Sequence, residues 1–267
     1  MTPTSASPTR SPDMSASISA SVAASVAVLR AEARLFRREP ASLFWVVAFP
    51  LLLLVLVGLV PSNRAEGSAP EGARIIDLYV PVIVLLGLIM AGIQSMPPVL
   101  TSYREQGILR RMSTTPVRPV SLLASQVIVH GVASLAAGML AIALGRLLYG
   151  VALPANIPGY TVTLVLVALG ALVMGALIAA LSRTAKACTA AATIIFFPLI
   201  FTAGVYVPVQ AMPETMRRIV EFTPFGAASQ ALDQASSGAW PSLPHLTVVL
   251  AWTVILAGAS ARWFRWE

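Results

Sequence analysis

The chain has 267 residues, of which 57% are hydrophobic and only 11% charged, whereas soluble domains carry roughly 25% charged residues. Mean hydropathy is +0.81, and apolar runs of about 20 residues, the length that crosses a bilayer as a helix, recur along it. This excludes a soluble domain. The net charge of +7 does not indicate a nucleic-acid partner, because the basic residues sit in connecting segments rather than on one folded face.

Residues 1–16 are rich in Ser, Thr, Pro and Ala and read as a disordered tail. They lack the basic start and apolar stretch of a signal peptide, so the tail is expected to be retained. Residues 17–40 read as an amphipathic helix. Ile18, Val22, Val26, Leu29, Ala33 and Phe36 share one arc, and Arg30, Arg34 and Arg37 form a stripe beside it. The expectation is an interfacial helix, with Phe36 and its neighbours toward acyl chains and the arginines on anionic headgroups.

Residues 41–267 then read as a transmembrane domain of six spans, at about 43–60, 78–100, 121–149, 160–181, 187–207 and 243–261. Pro50 is expected to kink the first span and Pro198 to interrupt the fifth. On span three, Gly131, Ser134, Gly138, Ala141 and Gly145 follow one helix face, so that face is expected to pack closely on a neighbour. Gln126 and His130 share another stripe of that span and read foremost as interhelical hydrogen-bonding groups. Residues 208–239 are too polar to span and read as two short helices, 214–221 and 225–236, forming an interfacial or re-entrant hairpin.

Between spans two and three lies a basic island, SYREQGILRRMSTTPVRP, residues 102–119. It reads either as a loop that fixes orientation or as a docking knob for a soluble partner, and the docking reading is the one adopted. A short helix is expected there, with Arg104, Glu105, Gly107, Ile108, Leu109, Arg110, Arg111 and Met112 as its docking residues. Thirteen of the 18 basic residues fall on the side of this island when the spans are threaded alternately. The positive-inside rule then places the island and both termini in the cytoplasm. Arginine far in excess of lysine, with heavy alanine use, points to a GC-rich bacterial genome and hence a bacterial cytoplasmic membrane.

Three stretches carry a family resemblance: RLFRREP at 34–40, YREQGILRRMSTTPVRP at 103–119, and FFPLIFTAGVYVPVQAMPETMRRIVEFTPF at 196–225. Together they resemble the six-helix permease subunits of type-2 ABC exporters, a group that includes drug- and antibiotic-resistance exporters, over about residues 25–267. The resemblance implies an all-α integral membrane protein with an N-terminal connecting helix, a cytoplasmic coupling helix in the island and an extracellular re-entrant hairpin. It also implies a complex with two ABC ATPase subunits and a second permease, identical or not, in contact with membrane lipids.

No phosphate-binding loop surrounds the lone lysine, Lys186, and His130 and His245 are isolated. The single cysteine, Cys188, excludes an intrachain disulfide and a multi-cysteine metal site. No cofactor or metal is therefore expected on this chain, and ATP and Mg belong on the partner ATPase. The span interiors hold no acidic residue, which disfavours a proton- or sodium-coupled carrier. The leading expectation is an exporter permease for an amphiphilic, drug-like molecule. A lipid or lipid-linked glycan exporter is the alternative within the family, and a non-transporting accessory membrane protein is the alternative outside it. A path between two permeases, lined by spans two and five, is expected to use Gln94, Thr189, Thr193, Phe197 and Phe201.

Overall fold

The computed structural model describes residues 14–69, 72–108, 111 and 119–263, and the described residues contain no strand. Six helices among them are long and apolar enough to cross a membrane. The protein is therefore an all-α integral membrane protein.

A lead-in helix, Met14–Arg38, comes first. The chain breaks at Glu39, whose backbone is extended before Pro40, and span one starts with that proline in its first turn. Span one is Pro40–Leu59. Its Phe44–Ala48 segment is a π turn, and α geometry resumes at Phe49. The expected kink at Pro50 is thus a widened turn just ahead of the proline, which accommodates its missing N–H.

Span two is Ile75–Glu105, longer than expected at both ends. At its start Arg74 closes a local clamp: its Nε and Nη2 donate to Asp77 at 2.9 and 2.6 Å. That pairing holds the guanidinium more strongly protonated than usual. Arg74 also donates to the Tyr149 carbonyl at 3.1 Å, tying the end of span three to the start of span two. Span two runs through Pro81, widens into a π turn at Met90–Ser95 and continues as Met96–Glu105.

Span three, Pro119–Tyr149, lays its small-residue seam as expected on neighbouring helices. A Cβ on Gly138 or Gly145 would meet Val84 at 3.1 Å or Val80 at 2.7 Å, both on span two. Span four is Ile157–Leu181, started by Asn156, whose side chain accepts from the Gly159 N–H at 2.9 Å. Its Gly175 faces the span-two backbone so closely that a Cβ there would lie 1.8 Å from the Gly92 carbonyl oxygen.

Span five, Ala185–Thr202, is capped by Thr184 and contains Pro198 without breaking. The expected interruption is absent: Pro198 lies in the last turns, and the helix ends through Gly204 at φ +88°. Two short helices, Glu214–Val220 and Pro224–Ser236, follow. The second presents Ala227, Ala228, Ala231, Leu232 and Ala235, all buried, to spans two, four and six. Span six, Leu243–Trp263, ties back through the Trp252 indole N–H to the Phe222 carbonyl at 3.0 Å.

The main core is built around span two, where Val80 and the run Val82–Ile89 are buried with Ala168, Ala171, Phe225 and Leu232.

Candidate functional site

The basic segment hangs from the end of span two. Arg104 and Glu105 belong to the span's own last turn, not to a separate short helix as the sequence suggested. The physical reason lies upstream. The Met96 N–H closes the π turn by donating to the Ala91 carbonyl, and Pro97 and Pro98 follow in the first α turn after it, where the widened ladder accommodates their missing N–H groups and the helix passes them. It ends instead at Gln106 and Gly107, whose N–H groups donate to the Ser102 and Arg104 carbonyls, each at 3.0 Å. Gly107 has φ +65°, a conformation that costs a side-chain-bearing residue and that glycine adopts freely.

Beyond it Ile108 is helical, and the Arg111 N–H donates to the Gly107 carbonyl at 3.0 Å. The Arg111 guanidinium donates to the Gln106 carbonyl at 2.9 Å. Leu109, Arg110 and Met112 lie outside the described residues. The Arg104 guanidinium reaches back and donates to the carbonyl of Ser182, the residue that closes span four.

One residue before Arg104, Tyr103 opens a buried polar junction. Its hydroxyl donates to Glu32 of the lead-in helix at 3.0 Å. The same Glu32 oxygen accepts from the side-chain amide of Gln126 on span three. One turn on, His130 Nδ1 lies 3.0 Å from the Gln126 carbonyl and its Nε2 lies 3.1 Å from Ser95 Oγ on span two. Ser95 Oγ in turn donates to Ser42 Oγ at 2.9 Å, at the start of span one. The Phe36 ring meets the imidazole edge-on at 5.1 Å between centroids.

Glu32 is 7% exposed. Burial pushes its carboxyl above the ordinary 4.5, and the hydrogen bond from Tyr103 opposes the rise. One connected polar cluster therefore holds the lead-in helix and spans one to three against each other, within reach of the basic segment. Gln126 and His130 do form the interhelical bonds that their spacing suggested. Glu32, Tyr103 and Ser42 escaped the sequence reading. A signal for Glu32 existed: it stands three residues after Leu29 and four before Phe36, on the arc otherwise made of apolar residues.

That cluster also changes the expected role of the lead-in helix. Arg30, Arg34 and Arg37 are exposed as predicted. Phe36, Leu29 and Ala33, however, pack on protein, against Val46, Ala91 and Val129. The carboxylate partners drawn from spans two and three bring that face onto the bundle instead of leaving it to acyl chains.

On span five Thr189, Thr193, Phe197 and Phe201 are all exposed on this chain. The threonine hydroxyls donate to carbonyls one turn back, Ala185 at 3.0 Å and Thr189 at 2.9 Å. The opposite stripe, Cys188, Ala192, Phe196 and Ile200, is buried. Phe197 and Phe201 therefore do not fill the packing between helices of this chain. Gln94 is half-buried in the π turn of span two, which span five packs against, and its amide has no hydrogen-bond partner among the described residues. No group of His, Cys, Asp and Glu suited to a metal ion occurs among the described residues.

The family model of the ABC-2 type transporter matches residues 24–235, from the lead-in helix through the helix Pro224–Ser236. This chain belongs to the ABC-2 type transporter family. No curated protein matches it. As an ABC-2 permease it is a multi-pass membrane subunit of an ABC transporter, a transport component that works with an ABC ATPase.

Proposed function

We propose that this ABC-2 permease exports an amphiphilic, drug- or antibiotic-like small molecule outward across the bacterial cytoplasmic membrane. Two permease subunits, identical or not, and two ATPase subunits make the working unit, with ATP and Mg held by the ATPases. The observation that carries this reading is the exposed Thr189–Thr193–Phe197–Phe201 face of span five, which packs on the π turn carrying Gln94, an amide with no hydrogen-bond partner among the described residues. Aromatic rings interleaved with polar groups suit a ligand with both apolar and hydrogen-bonding parts. In a two-permease complex this face lines the path.

Residues 104–112 dock on the ATPase. A displacement of that segment reaches the bundle through Tyr103 and Glu32 on one side and through Arg104 and the Ser182 carbonyl on the other. The test is Leu109→Ala combined with Arg110→Ala in the complete complex. The expected outcome is weaker co-purification of the ATPase, or ATP hydrolysis uncoupled from transport. Unchanged assembly together with unchanged transport refutes the docking role.

Orientation is tested separately. A cysteine at Ser237 on a Cys188→Ala background reacts with an impermeant thiol reagent in intact cells, and a cysteine at Thr114 does not. The reverse labelling inverts the topology.

A further inference from the structure

Toward the membrane face that carries the Arg104–Arg111 segment, a lateral cavity of about 330 Å³ opens between spans three, four and six. Its walls are largely apolar: Leu123 and Val127 on span three, Leu172 and Ala176 on span four, Ala257 and Ala261 on span six. Spans four and six run side by side in the same direction, so closely at Gly170 that a Cβ there would lie 2.8 Å from Thr253 Oγ1. Further along, the alanines leave a trough that longer side chains would fill. The trough follows span four from Leu169 to Ala176. That is about 10 Å at 1.5 Å per residue, which fits within one leaflet of a hydrocarbon core about 30 Å thick.

One group in the wall is polar. Ser260 lines the cavity, is 9% exposed, and its hydroxyl has no hydrogen-bond partner among the described residues. Thr253, two turns earlier on the same span, turns its hydroxyl to the Val249 carbonyl at 2.8 Å. Ser260 leaves its donor to the cavity instead. A buried donor without an acceptor is costly, so an occupant that brings an acceptor is favoured. Directly beyond Ala261 stand Arg262 and Trp263, both exposed, and a tryptophan at the end of a span marks the headgroup level. Arg183, just past the end of span four at the same face, is exposed too. Neither arginine has an ion-pair partner among the described residues. Spans three, four and six contain no Asp or Glu, so the potential at this end of the trough is positive.

From the membrane interior outward the order is apolar trough, hydroxyl donor, cation. A phospholipid carries the matching order: acyl chain, ester carbonyl, phosphate. A soluble anion has no use for the trough, and a lipid without net charge leaves the cations unbalanced. We propose that this groove holds one acyl chain of an anionic phospholipid, with an ester carbonyl accepting from Ser260 Oγ and the phosphate on Arg262. The proposal does not depend on the transport reading.

The test uses the purified full-length chain in detergent. Native mass spectrometry counts bound phosphatidylglycerol against phosphatidylcholine of the same acyl chains, for the wild type and for Ala257→Phe, Arg262→Gln and Ser260→Ala. The expected result is a preference for phosphatidylglycerol. Arg262→Gln lowers that preference about fivefold, the scale of one arginine near a charged headgroup. Ser260→Ala weakens both lipids about threefold and leaves the preference in place. Ala257→Phe, which fills the trough from an exposed position, abolishes retention of both while keeping every polar group. Arg262 is exposed as well, so Arg262→Gln carries the test if Ala257→Phe fails to fold.

Equal retention of the two lipids by the wild type overturns the proposal. So does a preference that persists unchanged in folded Ala257→Phe or in Arg262→Gln, which places the lipid elsewhere. A dimer in detergent that Ala257→Phe dissociates, with no lipid preference, assigns the groove to a second copy of this chain and overturns it too.

Discussion

Spans two and five are both apolar, both contain a proline and pack against each other, yet they are built for opposite surroundings. Span two is enclosed nearly all round: from Val82 to Ile93 every residue is buried. Span five buries one stripe, Cys188, Ala192, Phe196 and Ile200, and leaves most other positions exposed, with Ile194 72% and Phe197 55% exposed. Apolarity alone does not distinguish the two, because a lipid-facing position and a core position ask for the same side chains. The distinguishing sign is the small residues of the partners, which let span two approach backbone to backbone.

The largest effect is expected where that approach is tightest. Gly175→Leu places a side chain against the span-two main chain, where a Cβ would lie 1.8 Å from the Gly92 carbonyl oxygen. Overpacking typically costs about 1–3 kcal/mol where neighbours can move. Here backbone is the obstacle, so a loss at or beyond that range is expected, seen as a collapsed yield or a strongly lowered thermal midpoint in detergent. Ile194→Ala on span five should stay within about 0.5 kcal/mol of wild type, as exposed positions do. Equal losses from the two changes would erase the contrast between the spans.

Glu32 gives an intermediate effect. Glu32→Ala leaves the Tyr103 hydroxyl and the Gln126 amide without their acceptor, at a cost of about 1–3 kcal/mol. Glu32→Gln keeps an acceptor and should cost less. The two should also differ from wild type in pH response. The folded carboxyl titrates above 4.5, so folding takes up a proton in the interval between that value and the raised one. The contribution of Glu32 is most favourable below the interval and falls as pH rises through it. Thermal midpoints measured across weakly acidic to neutral pH should show that decline in wild type and a flatter profile in Glu32→Gln.

The smallest stability effect, and the sharpest functional one, belongs to Phe201→Ala paired with Gln94→Ala. Both should assemble with near-native thermal midpoints and alter substrate-stimulated ATPase activity. Loss of stability with an unchanged substrate profile would return these residues to a packing role.

Much of this architecture was legible in the sequence. The six apolar runs, the small-residue seam of span three and the Gln126–His130 stripe all follow from periodicity and residue size. Helix ends were less legible wherever proline was involved. Pro97 and Pro98 look like a stop signal, and the helix passes them because the π turn just before them accommodates their missing N–H groups. Pro198 looks like a break and sits inside a continuous helix. The junction was the least legible part, since Glu32, Tyr103 and Ser42 acquire meaning only from partners 53 to 94 positions away. What sequence spacing does show is that a carboxylate on an apolar arc needs a partner, and that sign was available at position 32.

The π turn at Met90–Ser95 also sets a rule for length. A π turn is an α-helix carrying one surplus residue, and each residue of an α-helix advances the direction of its side chains by about 100°. Deleting one residue from this turn would close it into an ordinary α turn and leave everything downstream in phase, because the wide turn already absorbs the surplus. Tyr103 would still meet Glu32, and Arg104 the end of span four. A one-residue deletion between Met96 and Tyr103 has no such reserve and would swing both away by about 100°. The π turn is thus a place where the length of span two can change by one residue without turning the basic segment.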